Sequence, residues 1–198
     1  MVKSKEVKKN LKDLDYASFN DNWQREAIIH NMIYGDSRFR NLILEYCNIE
    51  KTKDSIVIKN NPIEYEVDLV IEQNGKIKAL LEVDYYERWD DIWPDNYKWC
   101  NILVSKLKYL GMVLDEQGKN QNPENLPYIT ATINKKGNKA MVATCELIKK
   151  HKDNIKNIHT KDAYGNSIGM QKFIQIPPKE AYQFGEWTRS ELIKLRVI

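Results

Sequence analysis

The sequence predicts an α/β fold in which a central mixed β-sheet is flanked by helices. Two observations lead to this prediction. Helical periodicity near the start of the chain is followed by two separate β-hairpin patterns, and helical segments return towards the end. This order is typical of helices that pack on a mixed sheet. The 198 residues fit a basic, flexible N-terminal arm at 1–15 and a single domain at 16–198.

Composition excludes several classes of protein. Hydrophobic residues make up 42% of the chain and charged residues 30%, which is ordinary for a globular protein. No apolar stretch approaches the length of a transmembrane helix, and the N-terminus lacks the apolar segment of a secretory signal. The three cysteines have no CxxC spacing, which argues against a zinc knuckle or a disulfide framework. These features predict a cytoplasmic protein with no membrane partner.

The first elements along the chain are predicted to be helices. Apolar side chains repeat with a period near 3.6 residues and predict a helix over 18–33. Gly35-Asp36-Ser37 interrupts the pattern, because glycine and a capping residue end one helix and begin another. A second helix is predicted over 37–47.

Strand signals dominate the middle of the chain. β-branched runs and period-2 alternation predict strands at 55–59, 65–71, 77–85, 99–105, 128–133, 140–144 and 173–176. The remaining segments are predicted as a helical turn at 106–112, a helix at 145–154, an irregular loop at 160–170 and a terminal helix at 188–195.

Acidic residues occur on both arms of the first predicted hairpin. Asp68 lies on the first arm, and Glu82 and Asp84 lie on the second, where a period of two puts them on one face. Like charges on neighbouring strands repel each other unless a cation lies between them. Mg²⁺ prefers oxygen ligands, and the backbone carbonyl of Val83 would add one. The alternatives are a solvated face of an amphipathic hairpin and, for Asp84, the first residue of an acidic loop.

The register of this hairpin decides whether Asp68 joins the other acids. A two-residue turn at Asn74-Gly75 would point Asp68 away from Glu82, whereas a three-residue loop would place the two opposite each other. A shared site therefore predicts the three-residue loop, with Gly75 in a left-handed bulge.

The pattern D-x13-E-x-D across a hairpin, behind a helix that carries Glu26, resembles the PD-(D/E)xK nuclease superfamily, whose fold is restriction-endonuclease-like. Asp68 matches the first acid of that motif and Glu82 the second, and Glu26 matches an extra helix carboxylate of some members. Asp84 stands where the superfamily usually has lysine. Lysines that would replace it are Lys78, on the Glu82 face, and Lys106 or Lys108, after the next strand.

The resemblance implies a nuclease-like domain that hydrolyses DNA phosphodiester bonds as an endonuclease with Mg²⁺, for which Mn²⁺ would substitute. Asp68, Glu82, Asp84, Glu26 and the Val83 carbonyl would hold the metal, and a lysine, with Lys106 and Lys108 foremost, would act with them in catalysis. DNA is the implied partner, and a homodimer is compatible with it. The expected contacts to the DNA backbone are Lys78, Lys106, Lys108, Lys135, Lys136 and Lys139.

Two other functions remain open from the sequence. The lysine missing at position 84 suggests a catalytically inactive relative that binds DNA or serves in the assembly of a phage or virus particle. A pure interaction module with an incidental acidic loop would bind neither metal nor DNA. The Lys-, Asn- and Ile-rich composition is typical of an AT-rich genome, and the location would be the host-cell cytoplasm for a viral protein.

Overall fold

The computed structural model describes residues 22–49, 57–60, 67–86, 89–94, 99–111, 118–122, 124–161 and 166–197. The predicted basic arm at 1–15 lies outside the described residues. Within them, a mixed β-sheet is flanked by helices and by a second, smaller sheet, which confirms the predicted fold class.

The elements are numbered in chain order. The helices are α1 (Asn22–Gly35), α2 (Ser37–Tyr46), α3 (Cys145–Lys150) and α4 (Arg189–Lys194), with 3-10 helices η1 (Val104–Leu110) and η2 (Pro178–Glu180). The strands are β1 (Val57–Asn60), β2 (Leu69–Gln73), β3 (Lys76–Tyr86), β4 (Cys100–Leu103), β5 (Tyr128–Asn134), β6 (Lys139–Thr144), β7 (Ile155–Lys161), β8 (Ser167–Ile176) and β9 (Tyr182–Gly185).

The larger sheet has six strands in the order β1-β2-β3-β5-β6-β9. Neighbouring strands are antiparallel except β3 and β5, which are parallel. A parallel pair needs a crossover connection, and the chain between β3 and β5 supplies it with β4 and η1. The smaller sheet has the order β4-β8-β7.

The larger sheet is covered on both faces. On one face, α1 and α2 bury Ile28 and Phe39 against Leu81 and Val83 of β3. On the other face, Leu80 of β3 belongs to a second core together with the smaller sheet and α3. Because β3 is central and covered on both sides, Glu82 in the middle of this strand is removed from water.

Several element predictions differ from the structure. The strand predicted from residue 65 begins at Leu69, and 61–66 lie outside the described residues. The loop predicted at 160–170 is wrong, because β7 and β8 continue into it as paired strands. The helix predicted at 145–154 ends at Lys150, where the chain turns to enter β7. The strand predicted at 99–105 divides into β4 and the start of η1.

An ion-pair group fastens α3 to η2. The Glu180 carboxylate accepts hydrogen bonds from Lys150 Nζ at 2.6 Å and pairs with His151 Nε2 at 3.0 Å. The hydrogen bond from Lys150 is the main cause that lowers the pKa of Glu180 to about 2, with His151 adding to it.

Glu180→Gln is therefore expected to cost about 0.5–1 kcal/mol of stability near neutral pH, as for other partly exposed pairs. The folded-state pKa lies below the ordinary value, so this stabilisation is present above the ordinary pKa and is lost as pH falls towards about 2. Thermal unfolding of both proteins across this pH range measures the difference. A difference that stays constant down to pH 2 would contradict this cause.

Candidate active site

The first hairpin brings Asp68 opposite Glu82 by a route different from the predicted one. Asn74 and Gly75 form a two-residue turn, and both have positive φ, at 52° and 73°. The predicted three-residue loop is therefore wrong. Glu72 pairs with Ile77, but Ile71 pairs with Ala79, so Lys78 is an extra residue, a β-bulge.

Beyond the bulge the register is the one that a shared site requires. Leu69 pairs with Leu81, so the next position of the first arm, Asp68, falls beside Glu82. Asp68 Oδ2 accepts a hydrogen bond of 2.7 Å from the backbone N–H of Val83. The N–H and C=O of one strand residue point to the same edge, so the Val83 carbonyl also faces the edge of β3 on which Asp68 lies.

Threonines of the parallel neighbour β5 continue this face of the sheet. Thr130 lies beside Glu82, and Thr132 lies beside Asp84. Thr132 Oγ1 is 3.6 Å from Cys100 Sγ of β4. Burial raises the pKa of the Cys100 thiol to about 11, so this group stays protonated near neutral pH. The face therefore combines carboxylates, hydroxyls and a neutral thiol.

Among the buried side-chain atoms that lack a hydrogen-bond partner in the described residues, two oxygens belong to directly paired residues of this face. They are Glu82 Oε2 and Thr130 Oγ1, which belong to neighbouring positions of β3 and β5. Glu82 is only 3% exposed. A buried polar atom left unpaired costs roughly 1–3 kcal/mol, and most such atoms in proteins are paired. Their proximity indicates a place for a polar ligand.

Lys106 reaches the site from η1, an element outside the larger sheet. Its ammonium forms an ion pair with Glu82 Oε1, and its side chain is 25% exposed. The 3-10 helix follows β4 directly and packs against β8, which fixes the direction from which the lysine reaches the sheet. Of the three lysines predicted to replace the one missing at position 84, Lys106 is seen in contact with an acid of the hairpin in the part of the chain that the structure describes.

The charges of the site act strongly on each other. Burial, together with the charges of Asp68 and Asp84, raises the pKa of Glu82 to about 8 against the opposing effect of Lys106. Burial alone would lower the pKa of Lys106, but the carboxylates of Glu82, Asp84 and Asp68 together raise it. The ammonium therefore stays charged, and additional positive charge beside Glu82 would favour its ionised form.

The donor set fits a hard divalent cation. No cluster of three or more His, Cys, Asp or Glu side chains suited to a metal occurs in the described part of the chain. Mg²⁺ in proteins is commonly held by one or two carboxylates with water and substrate phosphate completing its coordination. Asp68, Glu82 and the Val83 carbonyl meet that requirement. Glu82 Oε2, which has no hydrogen-bond partner among the described residues, is the oxygen that would coordinate the cation.

The other predicted catalytic and metal residues lie at different distances from this group. Asp84 is close enough for its charge to act on Glu82 and Lys106. Lys108 lies on η1, two residues after Lys106. Lys78 lies four residues before Glu82, about 13 Å along the strand. Glu26 belongs to α1, and its side chain lies outside the described part.

Two of the lysines after β5 that were predicted to contact DNA instead contact the loop that contains Asp90 and Asp91. Lys136 pairs with Asp91 and, at 3.9 Å, with Asp90. Lys139 is buried, contacts the Asp91 carbonyl oxygen and pairs with Glu191 at 2.5 Å. These contacts exclude Lys139 from a surface that binds phosphates. Lys135 is exposed at the turn between β5 and β6.

Sequence reasoning missed Thr130. Its strand was predicted, but the parallel pairing of β5 with β3 leaves no local pattern, because the two segments are more than forty residues apart along the chain. A Thr-x-Thr alternation at 130–132 in an otherwise apolar strand is the signal that could have marked the site.

The chain matches no protein-family model, no curated protein and no solved structure. Among the described residues, none of the helices combines the length and the apolar character needed to cross a membrane. Functional assignment therefore depends on the geometry of the site itself.

Proposed function

We propose that the protein is a Mg²⁺-dependent endonuclease of the PD-(D/E)xK type that hydrolyses DNA phosphodiester bonds. The observation that supports it best is a buried carboxylate, Glu82, with one oxygen unpartnered, beside a second carboxylate and a lysine from another element. Burial of a carboxyl oxygen without a partner is costly, and ionisable groups with strongly shifted pKa values are concentrated at functional sites. The resemblance of the hairpin acids to the PD-(D/E)xK motif is the reason for proposing phosphodiester hydrolysis as the function.

Each residue of the group has a distinct part in this proposal. Asp68 and Glu82, with the Val83 carbonyl, would hold the cation, and the hydrogen bond from Val83 N–H orients Asp68 in advance. A bound Mg²⁺ would supply Lewis-acid stabilisation of the phosphoryl oxygens.

Lys106 would place its fixed positive charge where negative charge develops on the phosphate. Its ion pair with Glu82 positions the ammonium at the site before substrate binds. Lys106 thus takes the part of the lysine that the motif lacks at position 84.

A second candidate is a DNA-binding protein of the same fold without catalysis. The ion pair between Lys106 and Glu82 favours it, because the ammonium already balances part of the charge that a cation would balance. Thermal unfolding separates the two candidates. A cation site predicts that Mg²⁺ raises the melting temperature in proportion to the logarithm of its concentration, and an inactive site predicts no shift.

Nicking of supercoiled plasmid tests the proposed activity. We expect nicks in Mg²⁺ or Mn²⁺ and none in EDTA. Lys106→Gln should lower kcat by about 10²-fold with little change in KM, because it removes charge stabilisation specific to the transition state. Lys108→Gln, the matched variant on the same 3-10 helix, should instead raise KM through loss of a phosphate contact.

Two results would contradict the activity. One is nicking that persists in EDTA. The other is the absence of cleavage of supercoiled, linear and branched DNA together with the absence of a Mg²⁺-dependent thermal shift. Salt-sensitive DNA binding in that second case would identify the non-catalytic relative.

A further inference from the structure

The hairpin of β7 and β8 leaves the body of the protein as a two-stranded ribbon. Near its base, Ile174 is buried and pairs with Ile155. Further out, the pairs Asn157–Lys172 and His159–Met170 lie opposite each other, and all four residues are exposed. Met170 is 64% exposed. No described residue covers this face of the ribbon, which is unusual for a strand pair of this length.

The two described strands of the ribbon carry charge of one sign. The described segments 155–161 and 166–176 contain Lys156, Lys161 and Lys172 and neither Asp nor Glu, and the intervening 162–165 adds a single acid in the sequence. None of these three lysines forms an ion pair with a described residue. Within the described part of the chain, no acidic side chain neutralises their charges.

The side chains between the lysines are hydrogen-bonding groups held in place. Thr160 Oγ1 donates to Gln171 Oε1 at 2.8 Å, and His159 Nε2 lies 3.0 Å from Ser167 Oγ. A two-stranded ribbon is about 5 Å between strand axes, and the major groove of B-DNA, about 12 Å wide, admits such a ribbon. Lysines would meet phosphates at the rims, and the amide, hydroxyl and apolar groups would meet base edges.

A second copy of the chain fits this edge less well. β7 is an edge strand of the smaller sheet, and Lys156 and Lys161 lie on it. Pairing β7 with β7 of another copy would bring lysines together across the junction, and edge lysines are a common device against such pairing.

The ribbon also projects from the side of the candidate active site. β4 ends at Leu103, which pairs with Phe173, and η1 with Lys106 starts at the next residue. The exposed part of β8 continues from Phe173 past that same end of β4.

We propose that the β7–β8 ribbon inserts into the major groove of double-stranded DNA and positions the duplex at the site of Glu82 and Lys106. This inference rests on the proposed function for its partner, but it concerns a separate surface.

The test measures binding of the full chain to a fluorescent DNA duplex in EDTA, where cleavage is absent. The ribbon variant carries Lys156→Gln, Lys161→Gln and Lys172→Gln, and the matched control carries Lys76→Gln, Lys149→Gln and Lys179→Gln, which removes the same charge from exposed positions elsewhere. We expect the ribbon variant to bind at least about tenfold more weakly. The slope of log affinity against log salt concentration should become shallower by about 2–3, which corresponds to three phosphate contacts. The control should change affinity less than about twofold.

Equal losses in the two variants would overturn the proposal, as would a wild-type protein that does not bind the duplex. An RNA duplex of the same sequence is the second probe, because its major groove is too narrow for a ribbon. RNA binding that depends equally on the three ribbon lysines would overturn the assignment to the major groove. DNA binding that depends on the ribbon lysines, without nicking in Mg²⁺, would contradict the proposed nuclease activity and support the proposed role of the ribbon. Nicking by a protein whose DNA binding does not depend on those lysines would support the nuclease activity and contradict the role of the ribbon.

Discussion

Glu82→Gln is expected to lower the rate of DNA cleavage by roughly a thousandfold while the protein stays folded. The substitution keeps the size of the side chain and removes the charge that would hold the cation, so packing around β3 is preserved. Initial rates of plasmid nicking, with circular dichroism of the same samples, measure both quantities. Glu72→Gln, on β2 of the same hairpin, is the control and should cleave at nearly the wild-type rate. A Glu82→Gln protein that cuts at the wild-type rate would exclude this site.

The same substitution should make the protein more stable at alkaline pH. The folded-state pKa of Glu82 is about 8, above its ordinary value of 4.5. The folded protein therefore binds more protons than the unfolded chain between these values, and wild-type stability falls as pH rises through them. Gln has no such dependence, so the variant should gain about 1–3 kcal/mol over wild type at pH 8 relative to pH 5. Urea unfolding at both pH values measures this gain, and parallel pH profiles would contradict it. A stability gain joined to a loss of activity is typical of a functional group rather than a structural one.

Lys139→Met is expected to cost about 3–5 kcal/mol of stability. Lys139 and Glu191 have side chains 6% and 7% exposed, and the ammonium also lies 5.7 Å from the centre of the Trp187 ring. Removing the lysine leaves the Glu191 carboxylate buried without its counter-charge. Adding Glu191→Gln should recover part of the loss, because the amide oxygen can still accept the hydrogen bonds that Thr188 gives to Glu191 at the start of α4.

Lys136→Met is the matched control, three residues earlier in the same hairpin. Lys136 pairs with Asp91 at the surface, with side chains 46% and 55% exposed, and exposed pairs contribute little, so its loss should cost less than about 1 kcal/mol. Chemical unfolding measures both variants. Equal costs at the two positions would show that burial of the Lys139 pair is not what stabilises this region.

The acid pattern could be predicted from the sequence because it depends on local periodicity. Alternation alone places Glu82 and Asp84 on one face of a strand, and the structure keeps them there. The pairing of Asp68 with Glu82 was predicted for the wrong reason. Asn-Gly specifies a two-residue turn, as the structure has it, and the register is corrected by a bulge at Lys78 that no short pattern marks.

Contacts between distant segments could not be predicted in the same way. Nothing in the sequence distinguishes Lys106 from Lys108 as the catalytic lysine, and the path of β4 into η1 is what brings Lys106 to Glu82. The ribbon was missed because the sequence over 162–169 contains Asp, Asn and two Gly, which are depleted in strands, and the pairing of β7 with β8 outweighs this local signal at Gly169.

The bulge at Lys78 divides the hairpin into two stretches whose pairing registers differ by one residue. The turn half follows the phase set by Asn74 and Gly75, and the other half follows a phase shifted by one residue. The bulge thus reconciles the two-residue turn with the register that places Asp68 opposite Glu82. If Lys78 instead paired in a regular ladder, Leu81 would lie opposite Asp68 and Glu82 would turn to the face packed by α1 and α2, so a bulge outside the site controls whether the site exists.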